Sequence, residues 1–403
     1  WLGLFLMVPC ACLLLRRRRM PWLVVAAVWV ASVVFLFAAL RWFAHQPYSL
    51  GESLVRGYFD RDFVYHFLSN ALRAGLAVCF FLVPLTLAFV AELPLGNPRA
   101  RRVVYFAAAG TALAAAFLLA THQFLSWQAP FVGTYVVNDG VEHPMTVGDR
   151  PVLLRPFTRV LLSLFTFAGT VATLAYCAAR GKIRTQAQAP AHPAPSSTRP
   201  PWRMVLILLL PFTAVYTALL VHRALFDRVY DRYLLELLFV GAVLLARLYQ
   251  DEVRSRLPAV TVAAVALSAI FSVAANHDLF SAERARLGAA QELIQAGVDR
   301  DRFLAGWEYD SWTQIDHYGF VNTGNIRLPT GYYVQRPIPY SISPRPCNDG
   351  WAPDFPAIHP QYVLSFDATS CDGPSGFAPV EYHAWLPPFR REMYIRRVVV
   401  PGQ

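Results

Sequence analysis

Charged residues are scarce in this sequence, and that scarcity excludes a single water-soluble globule. Only 15% of the 403 residues are charged, 56% are hydrophobic, and the mean hydropathy is +0.37. The hydrophobic residues form runs of roughly 17–23 residues, the length that crosses a bilayer as a helix. We therefore predict an α-helical polytopic membrane protein with about eight transmembrane helices, at residues 1–15, 21–43, 74–93, 103–124, 158–179, 204–221, 233–249 and 258–275.

Lysine is almost absent, since Lys182 is the only one, and the formal net charge of +10 therefore comes from arginine. The arginines lie mostly between the predicted spans, where they orient helices, so the charge does not indicate nucleic-acid binding. Segments 44–73, 125–157, 222–232 and everything after 275 are predicted to be extracytoplasmic. Four clusters alternate with every second span and are predicted to be cytoplasmic: Arg16–Arg19, Arg99–Arg102, Arg180–Arg203 and Arg254–Arg256.

Cysteine is also scarce, and only Cys347 and Cys371 fall in the polar C-terminal part of the chain. An isolated pair in an oxidising compartment is typical of one disulfide, so we predict that these two residues are bonded. No second cysteine pair at ligand spacing accompanies them, which argues against a metal site in that part.

Composition divides the chain into two predicted domains. Residues 1–275 are predicted to form a transmembrane helical bundle with a Pro/Ala/Ser-rich cytoplasmic linker at 180–203. Residues 276–403 are predicted to form a small extracytoplasmic α/β domain. Its predicted elements are a helix at 281–297 that ends at Gly297, with Ala285, Leu287, Ala289, Leu293 and Ile294 on one stripe, and strands at 303–305, 361–366, 379–386 and 392–400.

A group of arginines and tyrosines precedes the seventh predicted span. Arg223, Arg228 and Arg232 recur at roughly helical spacing, and Tyr230 and Tyr233 bracket the start of that span. This surface would suit an anionic phosphate headgroup, and we predict that the three arginines and Tyr233 bind one. The alternative is an ordinary interfacial belt of aromatic rings and snorkelling arginines.

Glu236 lies one turn inside the same span, where an unpaired charge is costly. It therefore needs a partner, and Arg232, four residues earlier, is on the same face of a helix. We expect Arg232 to be held by Glu236 or Asp231 and to face a cavity at the membrane surface.

Two other polar loops carry weaker candidates. Asp60 and Asp62 form an Asp-x-Asp pair, which in some glycosyltransferases holds a divalent cation against a diphosphate, so a cation cofactor is left open. The alternative at this position is a solvated interfacial helix. In the second loop a predicted hairpin turn carries Asp139, Glu142 and His143, and a polar turn explains these residues without a sugar site.

The sequence Tyr230–Leu235, YDRYLL, resembles the start of a late transmembrane helix in a known family. This family comprises the bacterial relatives of the dolichyl-phosphate-mannose protein mannosyltransferases, within the C-type superfamily of membrane glycosyltransferases. Four phrases of the C-terminal part resemble the same family in the same order: Leu293–Val298, Gly306–Tyr309, Tyr382–Leu386 and Met393–Arg397.

The resemblance implies a multi-pass protein of the bacterial inner (plasma) membrane with an extracytoplasmic C-terminal domain. It also implies a polyprenyl-phosphate-linked sugar as donor. In that family the catalytic base is an Asp beside another acidic residue, in the first extracytoplasmic loop and well upstream of the pattern seen here. No acidic pair occupies such a place in this chain, so we expect it to lack the family's N-terminal catalytic segment.

These observations lead to a first hypothesis, a membrane glycosyltransferase that transfers a sugar from a polyprenyl phosphate to a lipid, glycan or protein acceptor. The alternative is a non-catalytic membrane module whose outer domain binds glycan or a partner protein. A transporter is disfavoured, because no predicted span combines a core broken by Gly or Pro with charges at mid-depth.

Overall fold

The computed structural model describes residues 22–46, 63–120, 130–131, 136–141, 146–148, 150–186, 202–226, 229–252, 257–319, 355, 358–368 and 373–398. These residues fall into two compact units. Unit 1 is drawn from Trp1–Phe37, Leu54–Thr134 and Arg155–Ala269, and unit 2 from Ala38–Ser53, Tyr135–Leu154 and Ile270–Gln403.

Helices make up most of the described chain. They are α1 (Trp22–His45), α2 (Phe63–Phe81), α3 (Val83–Thr86), α4 (Pro98–Ala120), α5 (Pro156–Gln186), α6 (Trp202–Phe226), α7 (Leu235–Glu252), α8 (Ala259–Gln295) and α9 (Trp307–Tyr318). Short 3-10 turns lie at Leu87–Phe89, Asp231–Leu234 and Arg300–Arg302.

Five helices of the described residues are long and apolar enough to cross a membrane, and a bent pair of helices would make a sixth such span. The five are Ala26–His45, Pro156–Ala179, Trp202–Leu225, Asp231–Asp251 and Ala259–Gln295. The predicted span 103–124 overlaps α4, which is not among these candidates, and residues 1–15 and 121–124 lie outside the described residues. The chain is thus a predominantly helical protein with several helices of membrane-spanning length and composition.

The predicted span 74–93 is wrong as a single straight helix. The structure breaks it after Phe81, and Phe67–Phe81 and Val83–Phe89 form the bent pair, at an angle of 59°. Pro84 lies in the first turn of α3, where its missing N–H and its ring prevent a continuous helix from forming through this point. The break carries Thr86 and no charged residue, so the expectation that no span combines a Gly- or Pro-broken core with charges at mid-depth is not contradicted.

Glycines on neighbouring helices make room for the broken segment. A Cβ atom placed on Gly169 of α5 would lie 3.1 Å from the Cβ of Thr86. A Cβ on Gly241 of α7 would lie 2.8 Å from Cδ1 of Leu82. Close approach of this kind lets membrane helices gain van der Waals contact without a hydrophobic driving force.

Helix α8 replaces two predicted elements, because the span 258–275 and the helix 281–297 form one continuous helix of 37 residues. Nothing between Asn276 and Phe280 breaks it, since that stretch has neither glycine nor proline. At 1.5 Å per residue the helix is about 55 Å long, roughly twice the hydrocarbon thickness. It ends as predicted, with Gly297 at a positive φ of 83° and the Val298 N–H bonded to the Leu293 carbonyl at 3.0 Å.

Unit 2 contains a small mixed sheet beside α8. Its strands are β3 (Phe303–Leu304), β4 (Tyr362–Ser365), β5 (Gly373–Pro374), β6 (Val380–His383) and β7 (Arg390–Arg397). The order is β3-β4-β7-β5, with β6 also paired to β7; β3 and β4 are parallel, and the pairs with β7 are antiparallel. The four predicted C-terminal strands are therefore confirmed, with shifted ends.

The core of unit 2 forms where α8 covers the sheet. Ala285, Ala289 and Leu293 are buried there against residues that include Met393 and Ile395 of β7. The prediction that Leu287 and Ile294 share this stripe is wrong, because they are 52% and 37% exposed. At 100° per residue these two positions fall about 180–200° from Ala285, on the opposite face of the helix.

A short β-hairpin also belongs to unit 2. The predicted turn is confirmed: β1 (Val136–Val137) and β2 (Gly140–Val141) pair around Asn138 and Asp139. Val147 follows and bridges to Ser365 of β4. The division into 1–275 and 276–403 therefore differs from the structure. Ala38–Ser53 and Tyr135–Leu154 group with the C-terminal part of the chain, and the last segment of unit 2 begins within α8, at Ile270.

Candidate functional site

The candidate site in unit 1 lies at the turn between α6 and α7. Helix α6 ends at Phe226, and the 3-10 turn Asp231–Leu234 leads into α7. Leu234 anchors this turn, because it is 1% exposed and packs with Ala77, Ala224 and Val229. Burial of this leucine fixes the path of the chain on which the flanking arginines and tyrosines stand.

Arg223, Tyr230, Arg232 and Tyr233, which we call the Arg/Tyr cluster, are in mutual contact. The guanidinium carbons of Arg223 and Arg232 lie 4.6 Å and 5.1 Å from the centroid of the same ring, that of Tyr233. Arg232 also lies 5.3 Å from the Tyr230 ring, and the two tyrosine rings are 5.9 Å apart. Cation–π attraction thus places both guanidinium groups beside the ring of Tyr233.

The guanidinium group has the donor chemistry that suits an oxyanion. A guanidinium that lies against an aromatic face uses its own face for that contact, while its N–H groups point outward in its plane. Arg232 is exposed, and its NH2 group donates to the Tyr233 hydroxyl at 3.2 Å. It also stands at the start of α7, where the positive end of the helix dipole adds to the field at an anion.

Glu236 has a different partner from the predicted one. The Tyr216 hydroxyl of α6 lies 2.9 Å from Glu236 Oε2 and 2.6 Å from the Tyr233 carbonyl oxygen, and these two acceptors share its one proton. Arg232 belongs to the 3-10 turn, whose three residues per turn rotate it away from the face that Glu236 occupies in α7. Asp231, which is buried, accepts the Arg232 backbone N–H at 2.9 Å.

Tyr216 is therefore a residue of the site that sequence reasoning missed. It lies in the middle of an apolar run, is 8% exposed and stacks on Phe212. The only signal was a tyrosine hydroxyl in a span that would need a partner when buried. Its contact joins α6 to α7 directly behind the Arg/Tyr cluster.

Arg159 is the second residue that the sequence prediction missed. It lies one turn into α5 and is only 8% exposed, and its Nε has no hydrogen-bond partner. No carboxylate among the residues that the structure describes forms an ion pair with it. Arg159 lies at the N-terminal end of α5, whereas Arg223 lies at the C-terminal end of α6.

Several predicted site residues lie outside the described residues: Asp60, Asp62, Arg228, Glu142, His143, Cys347 and Cys371. The phosphate contact of Arg228, the metal pair and the disulfide stay predictions. Asp139 is described and forms a buried ion pair with Arg150 at 3.1 Å, which fits a structural turn. Within the described ranges no group of three His, Cys, Asp or Glu side chains could hold a metal ion.

Comparison with known proteins adds no assignment to this geometry. The chain matches no protein-family model, no curated protein and no solved structure.

Proposed function

We propose that the Arg/Tyr cluster binds the phosphate of a polyprenyl-phosphate-linked sugar, and that the chain is part of a membrane glycosyltransferase. The observation that carries the proposal is the pair of guanidinium groups held within 5.1 Å of the centroid of one tyrosine ring. A phosphate bound beside this ring is attracted by both cations and accepts charge-assisted hydrogen bonds.

Each residue has a distinct part in this site. Arg223 and Arg232 donate to the phosphate oxygens, and the Tyr233 ring holds both guanidinium groups in place. Tyr216 and Glu236 fix the backbone at Tyr233 from behind, through the two contacts of the Tyr216 hydroxyl. The apolar flanks of α6 and α7 suit the hydrocarbon chain of a polyprenyl carrier, which is a lipid.

The proposed reaction is displacement at the anomeric carbon of the donor sugar. An acceptor hydroxyl oxygen forms the new bond to that carbon, and the carbon–oxygen bond to the phosphate breaks with its electron pair left on the phosphate. The acceptor proton passes to a carboxylate acting as general base. The arginines stabilise the negative charge that develops on the departing phosphate, which is where cations accelerate such a step most.

The compartment is part of the same proposal. The arginine clusters between spans favour the orientation in which the turn between α6 and α7 faces away from the cytoplasm, as does unit 2. The YDRYLL resemblance supports a bacterial inner membrane and a mannosyltransferase-like donor. The alternative, a non-catalytic module, keeps the phosphate site and lacks the transfer step.

Binding of polyprenyl phosphate and of the matching polyprenol to the full chain in lipid nanodiscs tests the proposal. We expect the phosphate to bind more tightly, and Arg232→Ala to weaken it roughly 10–100-fold, the loss of a hydrogen bond between charged groups. Arg232→Lys should restore binding only in part, since the forked geometry is lost.

Arg247 provides the matched control for this experiment. It too lies near an aromatic ring, 5.9 Å from that of Trp202, and it pairs with Asp251 near the other end of α7. Arg247→Ala should leave phosphate binding unchanged. Equal affinity for the phosphate and the polyprenol, or equal effects of Arg232→Ala and Arg247→Ala, would contradict the proposal and show that the cluster is an interfacial belt.

A further inference from the structure

Unit 2 contains a cleft between α8 and β6 that the proposed function does not use. Its volume is about 450 Å³. The side chains that matter below are His277, Ser281 and Arg284 of α8, Glu381 and His383 of β6, and Trp385 of the following loop. Every one of them belongs to unit 2, so the cleft is formed within a single compact unit.

Trp385 lines this cleft and keeps much of its indole exposed. The indole is 57% exposed, although the His277 ring stacks on it at a centroid distance of 4.2 Å and an angle of 13°. Stacking covers one face of the indole, so the exposed area comes from the opposite face and the edges. A large apolar side chain that stays this exposed contributes little to the free energy of folding, so its exposure calls for a functional explanation.

A buried charged pair holds the loop that carries Trp385. Asp278 accepts the backbone N–H groups of Trp385, at 2.6 Å, and Leu386, at 3.0 Å. Arg391 lies 3.4 Å from the same carboxylate and donates to the carbonyl oxygens of Leu386 and Pro388, both at 3.0 Å. Both charges are buried. Burying two charges is costly, and the result here is a loop whose exposed tryptophan is fixed before any ligand arrives.

The polar wall of the cleft is mixed in charge. Arg284 offers planar N–H donors, Glu381 offers carboxylate acceptors, and the His383 imidazole offers both. All three are exposed. One positive and one negative side chain balance each other, so the cleft does not select an ion of either sign. Such a mixed wall suits a neutral molecule with many hydroxyl groups, because each hydroxyl both donates and accepts.

We propose that this cleft binds one pyranose ring of a glycan. The C–H bonds on one face of a pyranose carry slight positive charge and pack on the negative face of an indole, here that of Trp385. The equatorial hydroxyls then reach the rim of the ring, where Glu381 and Arg284 accept and donate. A rigid aromatic platform beside a few convergent polar groups is the usual composition of a small-molecule site.

An interfacial tryptophan is the competing explanation. Trp385 packs on His277, just after the apolar part of α8, and tryptophan is enriched at membrane surfaces. The polar wall favours the sugar, because a membrane anchor needs no fixed array of donors and acceptors around its ring. The inference goes beyond the proposed function, since the cleft shares no residue with the Arg/Tyr cluster and could bind glycan in a chain without transferase activity.

Saturation-transfer NMR on the full chain in nanodiscs, with methyl α-mannopyranoside and methyl β-glucopyranoside as probes, tests the proposal. We expect transfer from the protein to the pyranose C–H protons of at least one probe, and none to glycerol, which has hydroxyls but no ring. Trp385→Ala should abolish the signal or weaken binding roughly tenfold or more, and Glu381→Gln should weaken it less.

Trp312 of α9 is the matched control, because it is 64% exposed in the same unit and does not line the cleft. Trp312→Ala should leave binding unchanged. Trp385→Phe keeps an aromatic face and should retain most of the signal, which separates loss of the platform from loss of the fold. The proposal is overturned if neither pyranoside binds, if Trp385→Ala binds as wild type does, or if the two tryptophan variants lose binding equally. A protein that binds polyprenyl phosphate and no pyranoside would support the proposed function and contradict this site. A protein that binds a pyranoside and no polyprenyl phosphate would do the opposite.

Discussion

Arg232 of unit 1 is exposed and lies against two tyrosine rings, whereas Arg391 of unit 2 is buried beside Asp278 and donates to backbone carbonyls. The two guanidinium groups are chemically identical, so their surroundings decide what each can do. A buried, paired arginine stabilises the fold around it. An exposed arginine on an aromatic face adds little to stability and can bind an anion.

The same contrast applies to what holds each unit together. In unit 1 the best-defined contacts are close helix approaches at Gly169 and Gly241 and the link from Tyr216 to Glu236. In unit 2 they are a sheet, an alanine-rich helix face and the Asp278–Arg391 pair. Substitutions in the two units should therefore destabilise the protein through different kinds of contact.

The largest effect is expected from Asp278→Asn. The amide cannot neutralise Arg391, so a buried charge is left without its partner, which costs about 3–5 kcal/mol. Thermal unfolding of the full chain in detergent, monitored by proteolytic cleavage within unit 2, should show this loss of stability. The double variant Asp278→Asn with Arg391→Met should recover part of it, and a single variant as stable as wild type would contradict the structural role of the pair.

A smaller effect is expected from Gly169→Ala in unit 1. The new methyl group would meet the Thr86 side chain and force the broken segment away from α5, at a cost of about 1–3 kcal/mol. Gly75 is the control, because a Cβ there meets nothing within 4 Å, and Gly75→Ala should be neutral or slightly stabilising. If both alanine variants behaved alike in thermal unfolding, the close approach of α5 to the break would be disproved.

Tyr216→Phe should cost about 1 kcal/mol, because it removes the hydroxyl that joins Glu236 to the Tyr233 carbonyl. It should also loosen the Arg/Tyr cluster and weaken polyprenyl-phosphate binding by a few-fold. Tyr105 is 71% exposed, so Tyr105→Phe is the control and should change neither property. A Tyr216→Phe protein with wild-type stability and binding would show that this contact does not support the site.

The smallest effect is a pH dependence in unit 2. Burial raises the pKa of the Tyr382 hydroxyl above 10, so the folded protein keeps that proton where the unfolded chain has lost it. The contribution to stability is complete below the unfolded pKa and declines as the pH rises through about 10 toward the folded value. Tyr382→Phe should remove that part of the alkaline decline, and an unchanged pH profile of unfolding would contradict it.

Local signals in the sequence predicted the elements of unit 2 better than the contacts between them. The hydrophobic strand pattern located β3, β4, β6 and β7, and Gly297 marked the end of α8. The Asp278–Arg391 pair joins residues 113 positions apart, and no local spacing in one sequence indicates such a contact. The sequence therefore did not reveal the fixed tryptophan of the cleft.

Hydropathy located most spans of unit 1 but not their shape. The run 74–93 is apolar except for Thr86 and Glu92, and Pro84 was the sign of the 59° break. The prediction that Arg232 pairs with Glu236 assumed an α-helix at a position where the chain forms a 3-10 turn. Glu236 instead accepts a hydrogen bond from the Tyr216 hydroxyl. The same turn carries Arg232 and Tyr233, and it places them in contact with Tyr230 and Arg223.

We propose that unit 1 uses Arg232 for a ligand and that unit 2 uses its buried Arg391 for the fold. The most direct test measures, on the same preparations of Arg232→Ala and Arg391→Met, both the Kd for polyprenyl phosphate and the unfolding temperature. We predict that Arg232→Ala raises the Kd roughly 10–100-fold with an unchanged Tm, and that Arg391→Met lowers the Tm with an unchanged Kd. A lowered Tm with an unchanged Kd for Arg232→Ala would contradict the account.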